Sequence, residues 1–426
     1  MKSISYLRKR YPRFIYQKYS YSIERGVLKA SFGFRVEPGI KFKSKIRIRG
    51  VSESRLGHMD EKALNNFVFH LGMMEIPTYW KATCSPEIVI RAGFLTKAQT
   101  EWWKGLILKG MSQFFYENKI DFTSDDFLSV LNNPSVEAPP LGISSMELKD
   151  RYLIPMGGGK DSIVTLEKIK ERGESINCFL LNPGKTQKKV LNAAGIKNPV
   201  VAERSIDPLL LKLNREGYLN GHTPFTAVLH FLGVFCGVLF DYKNIAFSNE
   251  KSADEGNAVY LGKEVNHQYA KSSEFEKEFK DYCRKYLTKN ARSFSFLRKY
   301  TELQISRTFV DYPKYFPAFS SCNVGLKTGE RWCGNCPKCL FVYASLYPYL
   351  DKKELMKIFG KDIFENKKLL PVMKGLIGRG KHKPLECVGT YKESCSAFDM
   401  GLAKATKKGE IPYLLKKYHE IKRTGK

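Results

Sequence analysis

The stretch RYLIPMGGGKDSIVTLEKIKERG, residues 151–173, sets three glycines, a lysine and an aspartate between a short apolar run and a helical pattern. A strand that ends in a glycine-rich turn and opens a helix is a geometry suited to phosphate. Glycines let backbone N–H groups approach an anion, and the helix N-terminus adds a favourable dipole. Two familiar fingerprints fail here. A Walker A loop needs glycine where Ile154 stands, and Ser or Thr where Asp161 follows the lysine; a dinucleotide loop needs glycine at Ser162. The plain alternative is a tight turn with Asp161 or Ser162 as N-cap. Three successive glycines argue against it, because they are costly unless something must come close.

Around this loop the chain alternates strands and helices. RYLIPM is a short apolar run, and SIVTLEKIKERG reads as a helix closed by Gly173. SINCFLLNP, NPVVAERSI and NIAFSNE read as further strands, separated by the helices TQKKVLNAAGI and TPFTAVLHFLGVFCGVLFDY. That alternation predicts a parallel sheet covered on both faces. Upstream, FGFRVEPGIKFKSKIRIRG alternates as half-buried strands do, and PEIVIRAG reads as a strand flanked by amphipathic helices. LNNPSVEAPPLGISS, 131–145, reads as a linker. Beyond about residue 275, helices are expected to dominate.

Composition sets bounds. The 426 residues suffice for two or three cores, and 43% hydrophobic residues exclude a disordered chain. No apolar run reaches the roughly 18 residues of a membrane span. The basic N-terminus lacks the apolar segment of a signal peptide, so a cytoplasmic location is expected. The 71 basic and 43 acidic residues give a formal charge of +28, spread along the chain. Nucleic acid, a polyanionic small substrate and a generally basic proteome all fit that excess.

Without a secretory signal, the ten cysteines are expected as reduced thiols. Cys322, Cys333, Cys336 and Cys339 follow the spacing C-x10-C-x2-C-x2-C. Four thiolates so spaced can wrap one tetrahedral zinc, closed and therefore structural. An iron–sulfur cluster is the rival.

Gly157-Gly158-Gly159-Lys160-Asp161-Ser162 resembles the S-G-G-x-D-S pyrophosphate loop of the N-type ATP pyrophosphatases, with Gly157 replacing the usual serine. The resemblance implies ATP cleaved between its α and β phosphates. Ser162 would touch phosphate, Lys160 would neutralise developing charge, and Asp161 would orient loop amides or Mg2+. With the downstream cysteines, the loop is similar to that of 7-cyano-7-deazaguanine synthases, whose chains are about half as long. FHLGMMEIPTYWKATCSPEIVIRAG, PMGGGKDSIVTLE, NGHTPFTAV, SNEKSADEGN, RWCGNCPKCLFVYA and KPLECVGTYKES together resemble the UDP-N-acetylmuramoyl-L-alanyl-L-glutamate epimerase family over nearly the whole chain.

The implied fold class is α/β. A parallel-sheet adenine nucleotide alpha-hydrolase-like (PP-loop) domain at 149–275 would follow an N-terminal α+β domain at 1–148. A helical C-terminal region with the zinc knuckle would occupy 276–426. The implied reaction adenylates the terminal glutamyl carboxylate of a nucleotide-sugar peptide, inverts its α-carbon, and releases AMP and pyrophosphate in peptidoglycan synthesis. Implied cofactors are ATP, Mg2+ and structural Zn2+, with no nucleic-acid partner. Two other readings stay open: another adenylating enzyme, deazapurine-forming or tRNA-modifying, and a basic nucleic-acid-binding protein.

Moving a Cα proton needs groups within hydrogen-bond reach. Cys387, beside Glu386 in LECVGT, is either a thiolate base or a small buried apolar group. His222 in NGHTP is an acid, an anion ligand or a helix-end histidine. Glu250 and Asn249, with Ser252 and Asn257, follow the fourth strand of the unit, where strand ends line the ligand crevice. They could grip ribose, magnesium or the glutamyl group. Glu75, Tyr79, Trp80 and Lys81 could bind uracil or sugar, though core packing is favoured; Trp102 and Trp103 read as core.

Overall fold

The structure is a computed structural model describing residues 2–132 and 142–424. The middle of the expected linker, 133–141, lies outside the described residues.

Ten strands form one sheet. They are β1 (Arg13–Glu24), β2 (Val27–Val36), β3 (Ile40–Arg49), β4 (Glu87–Ile90), β5 (Ser129–Asn132), β6 (Tyr152–Pro155), β7 (Ile176–Leu181), β8 (Val200–Ser205), β9 (Asn244–Phe247) and, after a small hairpin of β10 (Ala258–Tyr260) and β11 (Lys263–Val265), β12 (Arg292–Ser295). Their order is β12-β9-β6-β7-β8-β3-β2-β1-β4-β5. Pairing is parallel from β12 to β8, antiparallel through β3, β2 and β1, and parallel again to β4 and β5. The fold is therefore mixed α/β with a largely parallel sheet, as the strand–helix alternation predicted. β3 joins β8 by register Lys45 to Ser205 and Ile48 to Ala202, so the two regions meet strand to strand.

Adjacent residues of the central strands feed two different cores. Leu153 and Phe179 pack with the helices Glu61–Trp80 and Phe225–Phe240. Ile154, Cys178 and Leu180 pack with the helix Lys160–Lys170 and the C-terminal helices. Period-2 side-chain alternation makes this two-faced burial possible. Helix Glu61–Trp80 presses so close to the meander that a Cβ at Gly72 would stand 1.9 Å from Tyr16 Oη, which only glycine permits. Along β3 one face alone is covered among the described residues. In β3, Phe42, Ser44, Ile46 and Ile48 point into the core while Lys41, Lys43, Lys45, Arg47 and Arg49 stand in solvent.

Two expectations shift. The helix after the glycine loop runs Lys160–Lys170 with Glu171 as C-cap, and Gly173 (φ +75°) turns the chain two residues later. Helices do dominate beyond 275, but one strand, β12, lies among them; its four residues RSFS carry too little hydrophobic pattern to announce a strand. None of the ten cysteines is in a disulfide. No helix among the described residues is long and apolar enough to cross a membrane.

Candidate active site

In the parallel unit, the connections from β6 lead outward on one side and from β9 on the other, so β6 and β9 flank a topological switch point. Ligands of open α/β sheets bind in the crevice beyond the strand ends at such a point. Here a cavity of about 300 Å³ lies there, lined by Gly157, Gly159, Asp161 and Ser162 after β6, and by Phe247, Ser248 and Asn249 at and after β9. Phe225, Lys271, Ser320, Ser321 and Lys338 close its other walls.

The glycine loop is tied down through its carbonyls. Gly157 O accepts from Gln187 Nε2 (3.3 Å), Gly158 O from the Ser320 amide (3.0 Å), and Gly159 O from Ser162 Oγ (3.0 Å). The amides of Gly157, Gly158 and Gly159 donate to no protein group among the described residues. In a planar trans peptide the N–H points away from the preceding carbonyl, so anchored carbonyls aim the amides the other way. Gly158 adopts φ +88°, and Gly159 caps helix Lys160–Lys170 without any side-chain acceptor. The first-turn amides of a helix have no intrahelical acceptor. The result is a cluster of donors suited to an anion.

Lys160 is buried and does not reach for the crevice. Its Nζ contacts Asp161 Oδ1 at 2.5 Å and also Glu302. Carboxylate oxygens of Asp161, Glu250 and Glu302 all lie within 4.8 Å of one another. Burial works against charge on Lys160, but the Asp161 carboxylate first, and Glu302 when it ionises, raise its pKa. Glu302 is pushed up to about 8 by burial, with Lys160 pulling down and Asp161 and Glu250 pushing up. Glu250 is raised by burial, against the pull of Lys271.

Cys387 sits beside this group. Lys271, which also lines the crevice, donates to its Sγ at 3.3 Å. Burial by itself raises a thiol's pKa; Lys271, Lys338 and a hydrogen bond from His267 outweigh it and hold Cys387 well below the usual value. The surroundings of the Cys387 sulfur therefore favour its thiolate form. Its neighbour Glu386 is raised by burial, and its Oε2 is buried without a hydrogen-bond partner. The His222 ring lies 4.7 Å from that of His267, and burial, with His267 and Lys81, lowers its pKa to about 3. The neutral ring of His222 is therefore the favoured form at neutral pH.

Asn249 lines the crevice and donates to Ser295 Oγ at 2.9 Å, which fixes its orientation. Glu75 is core: it pairs with Arg204 (2.6 Å) and accepts from Ser44, while Tyr79 stacks with Phe34 and Phe42. Trp103 is fully buried, as expected. Lys271, Glu302, His267 and Lys338 were not apparent in the sequence. Lys338 stands between two of the spaced cysteines and reads there as a spacer; the other three carry no local signal.

Cys322, Cys333, Cys336 and Cys339 converge and are buried. Cys322 Sγ lies 3.8 Å from Cys336 Sγ, and Cys333 Sγ 3.8 Å from Cys339 Sγ. Sulfurs bound at about 2.3 Å to one tetrahedral centre are about 3.8 Å apart, so the cage has the size of a single ion. Backbone amides of Gly325 (3.1 Å), Gly334 (3.4 Å), Asn335 (3.4 Å) and Cys339 (3.4 Å) point at these sulfurs and stabilise thiolate charge.

The chain matches the MurL N-terminal domain family over residues 6–296 and the MurL C-terminal domain family over residues 318–425. It is similar to three proteins named UDP-N-acetyl-alpha-D-muramoyl-L-alanyl-L-glutamate epimerase. The Xanthomonas oryzae pv. oryzae protein is 32% identical over 80% of this chain and 76% of its own. Those of Micromonospora sp. (33% identical; 76% of this chain, 72% of its own) and Salinispora tropica (34% identical; 76% and 70%) match comparably. With both domain families matched over most of its length, the chain belongs to the UDP-N-acetyl-alpha-D-muramoyl-L-alanyl-L-glutamate epimerase family.

Proposed function

We propose that this protein inverts the terminal L-Glu of UDP-MurNAc-L-Ala-L-Glu to D-Glu at the expense of ATP. The observation that carries the reading is one crevice holding two kinds of chemistry. At one end are the undonated amides of Gly157–Gly159; at the other, Lys271 leads to the Cys387 sulfur.

A carboxylate resists loss of its α-proton because the product would be a poorly stabilised dianion. ATP, as a substrate, supplies the adenylyl group that turns the glutamyl carboxylate into an acyl-adenylate, with pyrophosphate leaving. The glycine loop and Ser162 hold that departing anion, as a PP-loop does. Cys387 then takes the α-proton as a thiolate, and Lys271 keeps the sulfur charged between turnovers. Glu386, whose pKa burial raises, is the candidate proton donor beside Cys387 in the chain. Hydrolysis of the inverted adenylate yields D-Glu and AMP. His222 packs on His267 and so positions a hydrogen-bond donor to the thiolate instead of moving a proton itself.

The donor sets fit two metals. Asp161, Glu250 and Glu302 form a hard carboxylate group that suits Mg2+ with bound phosphates. The four-cysteine cage suits Zn2+; an iron–sulfur cluster would set inorganic sulfide between the thiolates and spread them farther than 3.8 Å. The charge of +28 accords with a polyanionic substrate.

The test is incubation with ATP, Mg2+ and the L-Glu nucleotide in deuterated water, followed by chiral analysis of the glutamate. D-Glu carrying deuterium at Cα, with one pyrophosphate per inversion, is expected. Inversion without nucleotide consumption would refute the adenylation step, and pyrophosphate release without inversion would refute the epimerase reading.

A further inference from the structure

The bare face of the β1–β2–β3 meander has a chemistry that the reaction does not use. Its outward positions are overwhelmingly basic. Lys41, Lys43, Lys45 and Arg47 on β3 are exposed, Arg35 on β2 is opposite Lys41, and Lys18 on β1 is opposite Gly33, itself opposite Lys43. None of these six forms an ion pair among the described residues; Lys29 and Arg49, on the same face, are taken up by Glu24 and Glu203. The Nε of Arg35 is buried with no acceptor.

Such a face works against its own fold. Directly opposed like charges destabilise a sheet, and Arg35 faces Lys41 while Lys29 faces Arg47. An anion laid on the surface would relieve that repulsion. Successive outward residues of one strand stand about 6.8 Å apart, so the unpaired charges of β3 from Lys41 to Arg47 extend over about 20 Å. No small ligand reaches that far; an extended anionic surface does.

Two classes of extended anion compete, and the face favours one. It has no aromatic ring on which a base could stack and no helix to enter a groove, the two usual handles for nucleic acid. The outward residues of β1 from 18 to 24 are Lys18, Ser20, Ser22 and Glu24, with no apolar side chain to insert into an acyl layer. A broad basic sheet face with few apolar side chains matches the surface of lipid headgroups. We infer that the outward face of β1–β3 is an electrostatic docking surface for an anionic phospholipid bilayer.

Each basic residue near such a surface strengthens binding roughly fivefold, less as salt rises. The experiment is flotation of the full-length protein with vesicles of phosphatidylcholine containing about 30% phosphatidylglycerol, and with phosphatidylcholine alone. The protein is expected on the anionic vesicles only, and to leave them in high salt. The combined variant Lys41→Thr, Lys43→Thr, Lys45→Thr, Arg47→Thr should bind at least tenfold more weakly, with an unfolding midpoint unchanged or raised because opposed charges are gone. A variant losing four exposed basic residues elsewhere (Lys407, Lys408, Lys416 and Arg423, each to Ser) should bind as the parent does. Equal loss in that variant would mean that net charge alone acts, and would overturn the proposal. So would binding that persists in high salt, or unchanged binding by the β3 variant. Tighter binding to RNA than to vesicles at equal phosphate, lost in the same β3 variant, would reassign the face to nucleic acid and also overturn it.

Discussion

Lys271 Nζ stands 3.3 Å from Cys387 Sγ, across 116 residues of chain, and with Lys338 and His267 it pulls the pKa of a half-buried thiol down against the effect of burial. A depressed thiol pKa places the base-active form above that pKa, so proton abstraction should be flat with pH through neutrality and fall only in acid. In Lys271→Met the rising limb should move toward the alkaline range of an ordinary thiol. Deuterium exchange at Cα near pH 7 should then fall about 10²-fold or more. The check is the pH profile of exchange: a variant with the parent's profile would remove Lys271 from this role.

Gly158 and Gly157 should respond oppositely to a side chain. Gly158 has φ +88°, and a Cβ there would stand 3.0 Å from Thr186 Cγ2. Gly158→Ala should cost about 1–2 kcal/mol of stability and abolish pyrophosphate release. At Gly157 a Cβ meets nothing within 4 Å. Gly157→Ser should fold normally, and its hydroxyl can add one hydrogen bond to phosphate, tightening ATP binding about 2- to 10-fold by calorimetry.

Binding of Mg2+ and nucleotide should release protons. Glu302 is held at about 8 by burial against Lys160, so it retains its proton through neutral pH. A cation beside it favours the carboxylate, so its pKa falls and the proton leaves. The release should be greatest between the lowered pKa and about 8 and vanish above it. Calorimetry in buffers of different ionisation enthalpy measures it, and Glu302→Gln should abolish it.

The four-cysteine cage should contain one zinc per chain. Cys336→Ser should lose the metal by elemental analysis. A loss of roughly 3 kcal/mol would lower the unfolding midpoint of a cooperative 426-residue chain by about 3–4 °C. Proteolysis should then open the segment after Cys322 before the sheet, because the knuckle starts the helix Pro337–Leu346 that packs within the C-terminal core.

What the sequence revealed was local. The glycine loop and the cysteine spacing could be read because their chemistry lies within a few consecutive residues. Strands β6 to β9 could be read because each is an apolar run bounded by turn residues. Lys271, His267 and Glu302 have no such signature: each matters only because folding brings it to Cys387 or Lys160. His222 reads alike as acid, ligand or cap until the burial that strips its proton is known. The β3–β8 pairing was equally invisible, since register between distant strands leaves no mark in either one.

That pairing also determines how the molecule can be divided. β8 has its outer hydrogen-bonding edge covered only by β3, and β3 its own by β8. A fragment cut before β6 would bare a ladder of unpaired amides and carbonyls on each half, and bare edges recruit other strands. The parallel unit and the meander are therefore each other's protection against self-association, and the chain is safest in solution when made whole.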